Sequence, residues 1–163
     1  MAIILGIDPA LTKTGWGVIE VKGNSFKYLA SGTIRTDDKS AMPARLKEIH
    51  SHFINIISLY KPDIAAIEET FVNVNPVSSL KLGHARGAIM LSLSICDIKL
   101  HEYSATAIKK SITGVGRAQK QQIQAMIDIL LPKNEAKTED EADALAAAIC
   151  HANNQSNFNY ATG

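Results

Sequence analysis

The chain has 163 residues, of which 46% are hydrophobic and 20% are charged, and its formal net charge is +1. This length suits one domain, and the composition excludes a mostly disordered chain. The apolar runs are far shorter than the roughly 20 residues of a membrane span. Asp8 interrupts the apolar start without a basic lead-in, which argues against a signal peptide. Cys96 and Cys150 form neither a CxxC pair nor a Cys/His cluster, so we expect a cytoplasmic protein without zinc or disulfides.

The small net charge conceals a basic middle and an acidic end. Residues 1–80 are balanced, residues 81–133 sum to +5, and residues 134–163 sum to −4. This asymmetry is typical of a protein that binds a polyanion beside an acidic, metal-binding pocket. A solvated charged face gives similar sums, so the charge pattern by itself leaves both interpretations open.

Strand patterns dominate the start of the chain. Ile3–Ile7 is a continuous apolar run, which is typical of a buried strand. Gly15–Val21 and Phe26–Arg35 flank a short polar turn and predict two more strands of an antiparallel meander. Residues 46–60 repeat apolar side chains every three or four positions, which predicts an amphipathic helix that ends before Pro62.

Helices and short strands alternate in the rest of the chain. The pattern predicts a strand at 64–67, a helix at 77–94, a strand at 99–103, a helix at 123–130 and a helix from Thr138. Such alternation favours an α/β domain over residues 1–152, with a mixed five-stranded sheet and helices on both faces. For residues 153–163 we expect a polar, frayed tail.

Two of the buried strands end in a carboxylate, Asp8 and Glu68. Ends of sheet strands are where α/β folds place their sites. A lone buried carboxylate costs several kcal/mol unless it is paired, protonated or bound to a cation. The pair therefore predicts a site at this edge of the sheet. The alternative is that Asp8 is a turn residue before Pro9.

The last predicted helix begins with several acids. At about 100° per residue, Asp140 and Asp143 lie about 60° apart on the flank of the apolar stripe, so they point towards the margin of the sheet. Glu139 falls near that flank too and stays a candidate, whereas Glu141 falls well away from it. The alternative is that these acids merely favour the first turn of a helix.

Carboxylates from three distant segments cannot converge at neutral pH without a counter-charge. Mg²⁺ or Mn²⁺ is the natural one, because hard divalent ions prefer oxygen ligands. Two such ions about 3.5–4 Å apart would activate water and stabilise the leaving oxygen of a phosphodiester. Helix geometry by itself leaves open which of the acids would bind the ions, because Glu139 stays a candidate beside Asp140 and Asp143.

Further residues suit nucleic acid. Phe71 follows Glu68 closely and could stack on an unpaired base, which is worth ~1–3 kcal/mol, or it could cap the core. Lys109, Arg117 and Lys120 flank a glycine turn in the basic middle and suit phosphate contacts, which would make binding depend strongly on salt. The alternative for these three is an ordinary solvated surface.

Five fragments, taken together, resemble the RuvC-type Holliday-junction resolvases of bacteria. They are Ile-Leu-Gly-Ile-Asp-Pro ending at Pro9, Thr-Gly-Trp-Gly-Val-Ile from Thr14, Ala-Ile-Glu ending at Glu68 and followed by Phe71, Leu80–Gly87, and Asp140–Ala146. They run through most of the chain, in order and at family spacing. The resemblance implies a ribonuclease H-like fold and a Mg²⁺-dependent endonuclease that resolves four-way DNA junctions by paired, symmetric nicks with 5′-phosphates.

The resemblance also implies roles for single residues. By motif position, the catalytic and metal-binding acids are Asp8, Glu68, Asp140 and Asp143. Phe71 matches an aromatic residue that contacts unpaired bases, and Lys109 and Lys120 match residues implicated in DNA handling. The implied partners are junction DNA, a second copy of the chain, and a hexameric branch-migration motor with its junction-binding subunit. We take residues 77–95 as the candidate dimer interface, with a plain core helix as the alternative.

Two positions depart from the family pattern. Ala10 stands where the family has glycine, which predicts strain if the turn needs a positive φ. Glu69 is an extra acid beside Glu68 that either disturbs metal binding or faces solvent. Two other functions fit parts of the sequence: a junction-binding module without cleavage, and an actin-like nucleotide-binding domain, in which Asp8 and the glycines at 15 and 17 would form a phosphate loop.

Overall fold

The computed structural model of the chain describes residues 1–69 and 74–161. These residues form five strands, namely β1 (Ala2–Asp8), β2 (Lys13–Lys22), β3 (Ser25–Arg35), β4 (Ile64–Glu68) and β5 (Lys99–Tyr103). They also form five helices, namely α1 (Met42–Tyr60), α2 (Pro76–Ile95), α3 (Ala105–Thr113), α4 (Lys120–Leu130) and α5 (Glu139–Ala161). No helix in these two ranges is long and apolar enough to cross a membrane.

The strands form one mixed sheet in the order β3-β2-β1-β4-β5. β1 pairs antiparallel with β2 and parallel with β4, and β4 pairs parallel with β5. Because β1 and β4 run side by side in the same direction, with Ile7 opposite Ile67, their carboxyl ends meet at one edge of the sheet. The predicted α/β architecture with a mixed five-stranded sheet is confirmed. Asp8 comes directly after Ile7 and Glu68 directly after Ile67, so the two acids end neighbouring strands at that edge.

Side chains of the central strands alternate between two apolar cores. Leu5 and Ile7 of β1 pack with Phe53 of α1 and Ile89 of α2 on one face of the sheet. On the other face, residues of β1, β2 and β4 pack against α3, α4 and α5. Helices therefore cover both faces, as the alternation of predicted elements implies.

α5 lies directly on the backbone of β1 and β2 because glycines occupy the contact points. A Cβ on Gly6 would lie 1.8 Å from the carbonyl oxygen of Ala144, and one on Gly17 would lie 2.5 Å from a methyl carbon of Leu145. Gly6 and Gly17 are opposite each other in the register, so together they form a shallow trough across the two strands. A side chain at Gly6 would displace the backbone of α5, and one at Gly17 would displace the Leu145 side chain.

The structure differs from the sequence-based expectations in three places. α3 is not evident from the pattern, because only Ile108 and Ile112 of its short length are buried. The segment from Asn153, expected as a frayed tail, is helical through Ala161, while the division of the chain at residue 152 stays a prediction. The expectation of backbone strain at Ala10 is wrong, because Ala10 does not have a positive φ. The non-glycine residues with positive φ in the described ranges are Lys61, Asp97 and Lys133.

Replacing Gly6 by alanine should destabilise the protein by about 3 kcal/mol, because the new methyl group would displace helical backbone rather than a flexible side chain. The matched control is Gly83→Ala in α2, where a Cβ meets nothing within 4 Å. That change should be neutral or stabilise by up to about 1 kcal/mol, because alanine favours helix. Urea unfolding measures both, and equal effects of the two substitutions would contradict the close helix-on-sheet packing.

A candidate acidic active site where β1, β4 and α5 meet

Asp8 and Glu68 are the last residues of β1 and β4, and both are half-buried. The end of β4 is fixed by Arg86 of α2, whose Nη1 donates to the main-chain oxygen of Glu68 at 2.6 Å. The same guanidinium forms an ion pair with Glu102 on β5. Arg86 therefore links α2, β4 and β5 at the edge of the sheet where the two carboxylates project.

The start of α5 is held over the same edge. Gly15 of β2 is opposite Asp8 in the register, and a Cβ on Gly15 would lie only 2.1 Å from the carbonyl oxygen of Asp140. The first turn of α5 therefore lies against the backbone beside Asp8. Asp140 and Asp143, both half-buried, extend from this turn, so the four acids expected to form the site come from three elements that meet here.

The carboxylates share one electrostatic field. Burial, followed by the negative charges of the other three carboxylates, raises the pKa of Asp8 to about 7. Burial and the Asp143 carboxylate raise the pKa of Glu68, against the opposing charge of Lys109. Burial also raises the pKa of Asp143. Of the four carboxyl groups, that of Asp8 thus has the most strongly raised pKa, and the other three acids all contribute to this rise.

The donor set suits a hard divalent cation. The candidate ligand atoms are carboxylate oxygens, which hard divalent ions prefer. Burial and then neighbouring negative charges raise the pKa values of Asp8, Glu68 and Asp143. Within residues 1–69 and 74–161, no three His, Cys, Asp or Glu side chains already form a group that could hold a metal ion.

Two lysines lie beside the acids. A cavity of about 200 Å³ is lined by Glu68 and Asp143 together with Lys109 of α3 and Lys120 at the start of α4. Lys120 is exposed, and its Nζ lies 2.6 Å from Oε2 of Glu139, a bond that raises the pKa of Lys120. Helix geometry left Glu139 as a candidate site residue. In the structure its carboxylate pairs with Lys120, which lines the cavity beside the acids.

Other expected site residues lie apart from the cluster or outside the described ranges. Arg117 is exposed between α3 and α4, and Phe71 lies outside the residues that the structure describes. Glu69 is exposed, so it faces solvent. Sequence reasoning missed Arg86, although it lies within a motif fragment, because its contact with the end of β4 is long-range.

Comparisons with known proteins agree with this arrangement. A profile of the family described as crossover junction endodeoxyribonuclease RuvC matches residues 4–151. The RuvC protein of Rhizobium etli is 49% identical over 152 residues, which are 93% of this chain and 90% of that protein. The RuvC protein of Rhizobium johnstonii is 50% identical with the same coverage.

Among solved structures, T. thermophilus RuvC in complex with a Holliday junction substrate has a TM-score of 0.92 and 27% identity, and the match covers 97% of each chain. The yeast mitochondrial resolvase Ydc2 shares the fold, with a TM-score of 0.69 at 11% identity over 95% of this chain and 80% of that chain. The fold and site therefore define an α/β protein of the ribonuclease H-like class with an acidic centre at its strand ends. Within that class, the chain belongs to the RuvC family of crossover junction endodeoxyribonucleases.

Asp8→Asn should stabilise the protein in the absence of divalent ions at pH 8. The folded-state pKa of about 7 exceeds the usual value near 3.8, so the folded state binds the proton more tightly and loses stability as pH rises from about 4 to about 7. Asparagine cannot ionise, so it avoids this loss of folding free energy. At about 1.4 kcal/mol per pKa unit, the loss amounts to a few kcal/mol. Below pH 4 the two proteins should differ little.

Thermal unfolding in EDTA at pH 4 and pH 8 measures this difference. Mg²⁺ should raise the Tm of the wild type at pH 8 and should leave Asp8→Asn unchanged, because ligand binding to the folded state stabilises it. A lower Tm for Asp8→Asn in EDTA at pH 8 would contradict the buried, repulsive environment derived for Asp8.

Proposed function

We propose that the protein resolves four-way DNA junctions by hydrolysing two phosphodiester bonds symmetrically, leaving 5′-phosphates, in recombination and repair. The observation that carries the proposal is the meeting of Asp8, Glu68, Asp140 and Asp143 at one edge of the sheet in a chain of the RuvC family. The structure of the T. thermophilus relative in complex with a Holliday junction substrate supports the choice of DNA substrate.

The four acids are the proposed catalytic and metal-binding residues. Bound Mg²⁺, as two ions per site with Mn²⁺ as a substitute, would supply Lewis-acid stabilisation of the developing charge and an activated water. The other three acids all act electrostatically on the Asp8 carboxyl group, so Asp8 is the residue we propose as a ligand common to both ions. Glu68 is held by the fixed end of β4, and Asp140 and Asp143 are held by the first turn of α5.

Basic residues beside the acids are proposed to hold the DNA backbone. Lys109 and Lys120 line the cavity that contains Glu68 and Asp143, so each is placed to contact the phosphate being cleaved. Exposed Arg117 lies further out and suits an adjacent phosphate. Phe71 remains the proposed residue for stacking on an unpaired base.

A homodimer is proposed through α2, within the candidate interface at residues 77–95. Four large apolar side chains of this helix are exposed, namely Val77, Leu80, Leu91 and Ile95. At about 100° per residue they fall within an arc of about 60°, so they form one stripe along the helix. A stripe of this kind is self-complementary across a two-fold axis, and two-fold symmetry would pair the two cuts.

The remaining partners follow from the family. We propose that the protein acts in the cytoplasm, on four-way junction DNA, with a hexameric branch-migration motor and its junction-binding subunit, and without a membrane. The bacterial relatives, which are named as enzymes that act on DNA, support this setting. The family assignment argues against the actin-like nucleotide-binding alternative.

The direct test is incubation with a synthetic mobile four-way junction, with and without Mg²⁺, followed by mapping of the nicks on each strand. We expect paired symmetric nicks that need the metal, and no cleavage of linear duplex. Asp8→Asn should lower the cleavage rate at least about a thousandfold, equivalent to several kcal/mol of transition-state stabilisation, while binding the junction.

The matched control is Asp97→Asn, which removes a similar charge from an exposed position between α2 and β5 and should cleave normally. Tight junction binding without nicks in the wild type, even with Mn²⁺, would favour a binding module instead. Wild-type cleavage by Asp8→Asn would contradict the assignment of the acids.

Leu91→Glu should convert a dimer to a monomer, because it puts a charge in the middle of the apolar stripe. The control is Ile129→Glu, which replaces a similarly exposed side chain on α4, away from the stripe. Gel filtration with light scattering should give half the wild-type mass for the first variant and the wild-type mass for the second. A monomeric wild type would contradict the proposed interface.

A further inference from the structure

Glu141 is a buried acid that the proposed reaction does not use. Its side chain lies in the first turn of α5, next to Asp140, and only 7% of the residue is exposed. Two residues along a helix correspond to about 200°, so Glu141 and Asp143 project from opposite flanks of α5. Asp143 faces the acidic site, whereas Glu141 faces edge strand β3.

The Glu141 carboxylate accepts three hydrogen bonds there. Its Oε2 accepts from Ser31 Oγ of β3 at 2.7 Å and from the main-chain N–H of Lys137 at 3.2 Å. Its Oε1 accepts from Thr138 Oγ1 at 3.2 Å. Each donor lies either on the strand or on the residues that lead into the helix, so the carboxylate joins the two.

Thr138 completes the connection. Its Oγ1 accepts from the main-chain N–H of Glu141 at 3.2 Å, which caps an otherwise unpaired donor of the first helical turn. The same oxygen lies 3.1 Å from Thr33 Oγ1, and Thr33 shares a face of β3 with Ser31. β3 therefore holds the start of α5 through two side chains.

We propose that Glu141 is a positioning residue that, through Ser31 and Thr138, holds the first turn of α5 so that Asp140 and Asp143 stay at the metal site. The inference rests on the proposed function, because it presumes that these two acids bind the cation. The acids repel one another across the opposite flank of the helix. A hydrogen-bonded tie on the β3 flank opposes the displacement that this repulsion favours.

The variants separate geometry from charge. Glu141→Ala removes both carboxylate oxygens and with them all three hydrogen bonds. Glu141→Gln removes the charge but keeps an oxygen that can accept from Ser31 and Lys137, while its amide can donate to the Thr138 hydroxyl, which is able to accept. Ser31→Ala removes the hydroxyl that donates to Glu141 from β3, together with its contact with the Tyr28 hydroxyl, and leaves the Thr33–Thr138 contact in place. The control for general loss of stability is Asn153→Ala, which breaks bonds from α5 to Ser111 far from the acids.

The measurement is the Mg²⁺ concentration that gives half of the metal-dependent rise in Tm at pH 8, with the metal as the only ligand. The midpoint of Mg²⁺-dependent junction cleavage is measured in parallel. We expect Glu141→Ala to raise both midpoints at least fivefold and Ser31→Ala to raise them about threefold. Glu141→Gln and Asn153→Ala should stay within twofold of the wild type, even where their Tm falls.

Three outcomes would overturn the positioning role. The first is a Glu141→Ala protein with wild-type midpoints. The second is an equal loss in Glu141→Gln, which would assign the effect to charge. The third applies if Glu141→Ala does not fold: it is a Ser31→Ala protein whose two Mg²⁺ midpoints equal those of the wild type. A wild type that shows neither a Mg²⁺-dependent Tm nor cleavage would overturn the proposed function, and the positioning role with it.

Discussion

The whole site depends on how closely α5 approaches the sheet. Gly6, Gly15 and Gly17 have no side chains, so the helix lies on the bare backbone of β1 and β2, closer than any Cβ would allow. This contact brings Asp140 beside the end of β1, although the two are far apart in the chain. A helix kept further away by side chains would still cover the core, but its acids would not reach Asp8. Close packing is therefore the means by which distant segments make one charged centre.

That centre is unfavourable for the protein without a cation. Buried carboxylates close to one another raise one another's pKa values, and the folded state holds them only because the rest of the structure supplies enough stability. The fold compensates from several directions: Arg86 secures the end of β4, Lys109 and Lys120 bring positive charge, and the Glu141 connection secures the start of α5 from the opposite flank. The candidate site is thus a cluster of half-buried carboxylates that repel one another, a repulsion that a bound cation would relieve.

Neighbouring acids at the start of α5 lie in different surroundings, because successive residues of a helix are rotated by about 100°. Asp140 and Asp143 lie towards the acidic centre, Glu139 pairs with Lys120 in solvent, and Glu141 is buried against β3. Four acids within five residues therefore lie in three different environments, namely the acidic centre, solvent and the buried surface against β3. Their separation is decided by the surface on which the helix lies, since the same helix without the sheet would expose all four.

The sequence alone determined the strands, most of the helices, and the four acids, because hydrophobic periodicity and residues at the ends of apolar runs are local signals. It also supported the α/β class and the resemblance to resolvases, whose motif fragments are short and contiguous. Short α3 and the absence of a positive φ at Ala10 were not evident from local patterns, which do not contain tertiary context. The helical continuation beyond Asn153 was likewise not evident from the polar sequence. The role of Arg86, the pairing of Lys120 with Glu139 and the burial of Glu141 against Ser31 required the three-dimensional structure. Each joins residues far apart in the chain, and only folding brings them within hydrogen-bond distance.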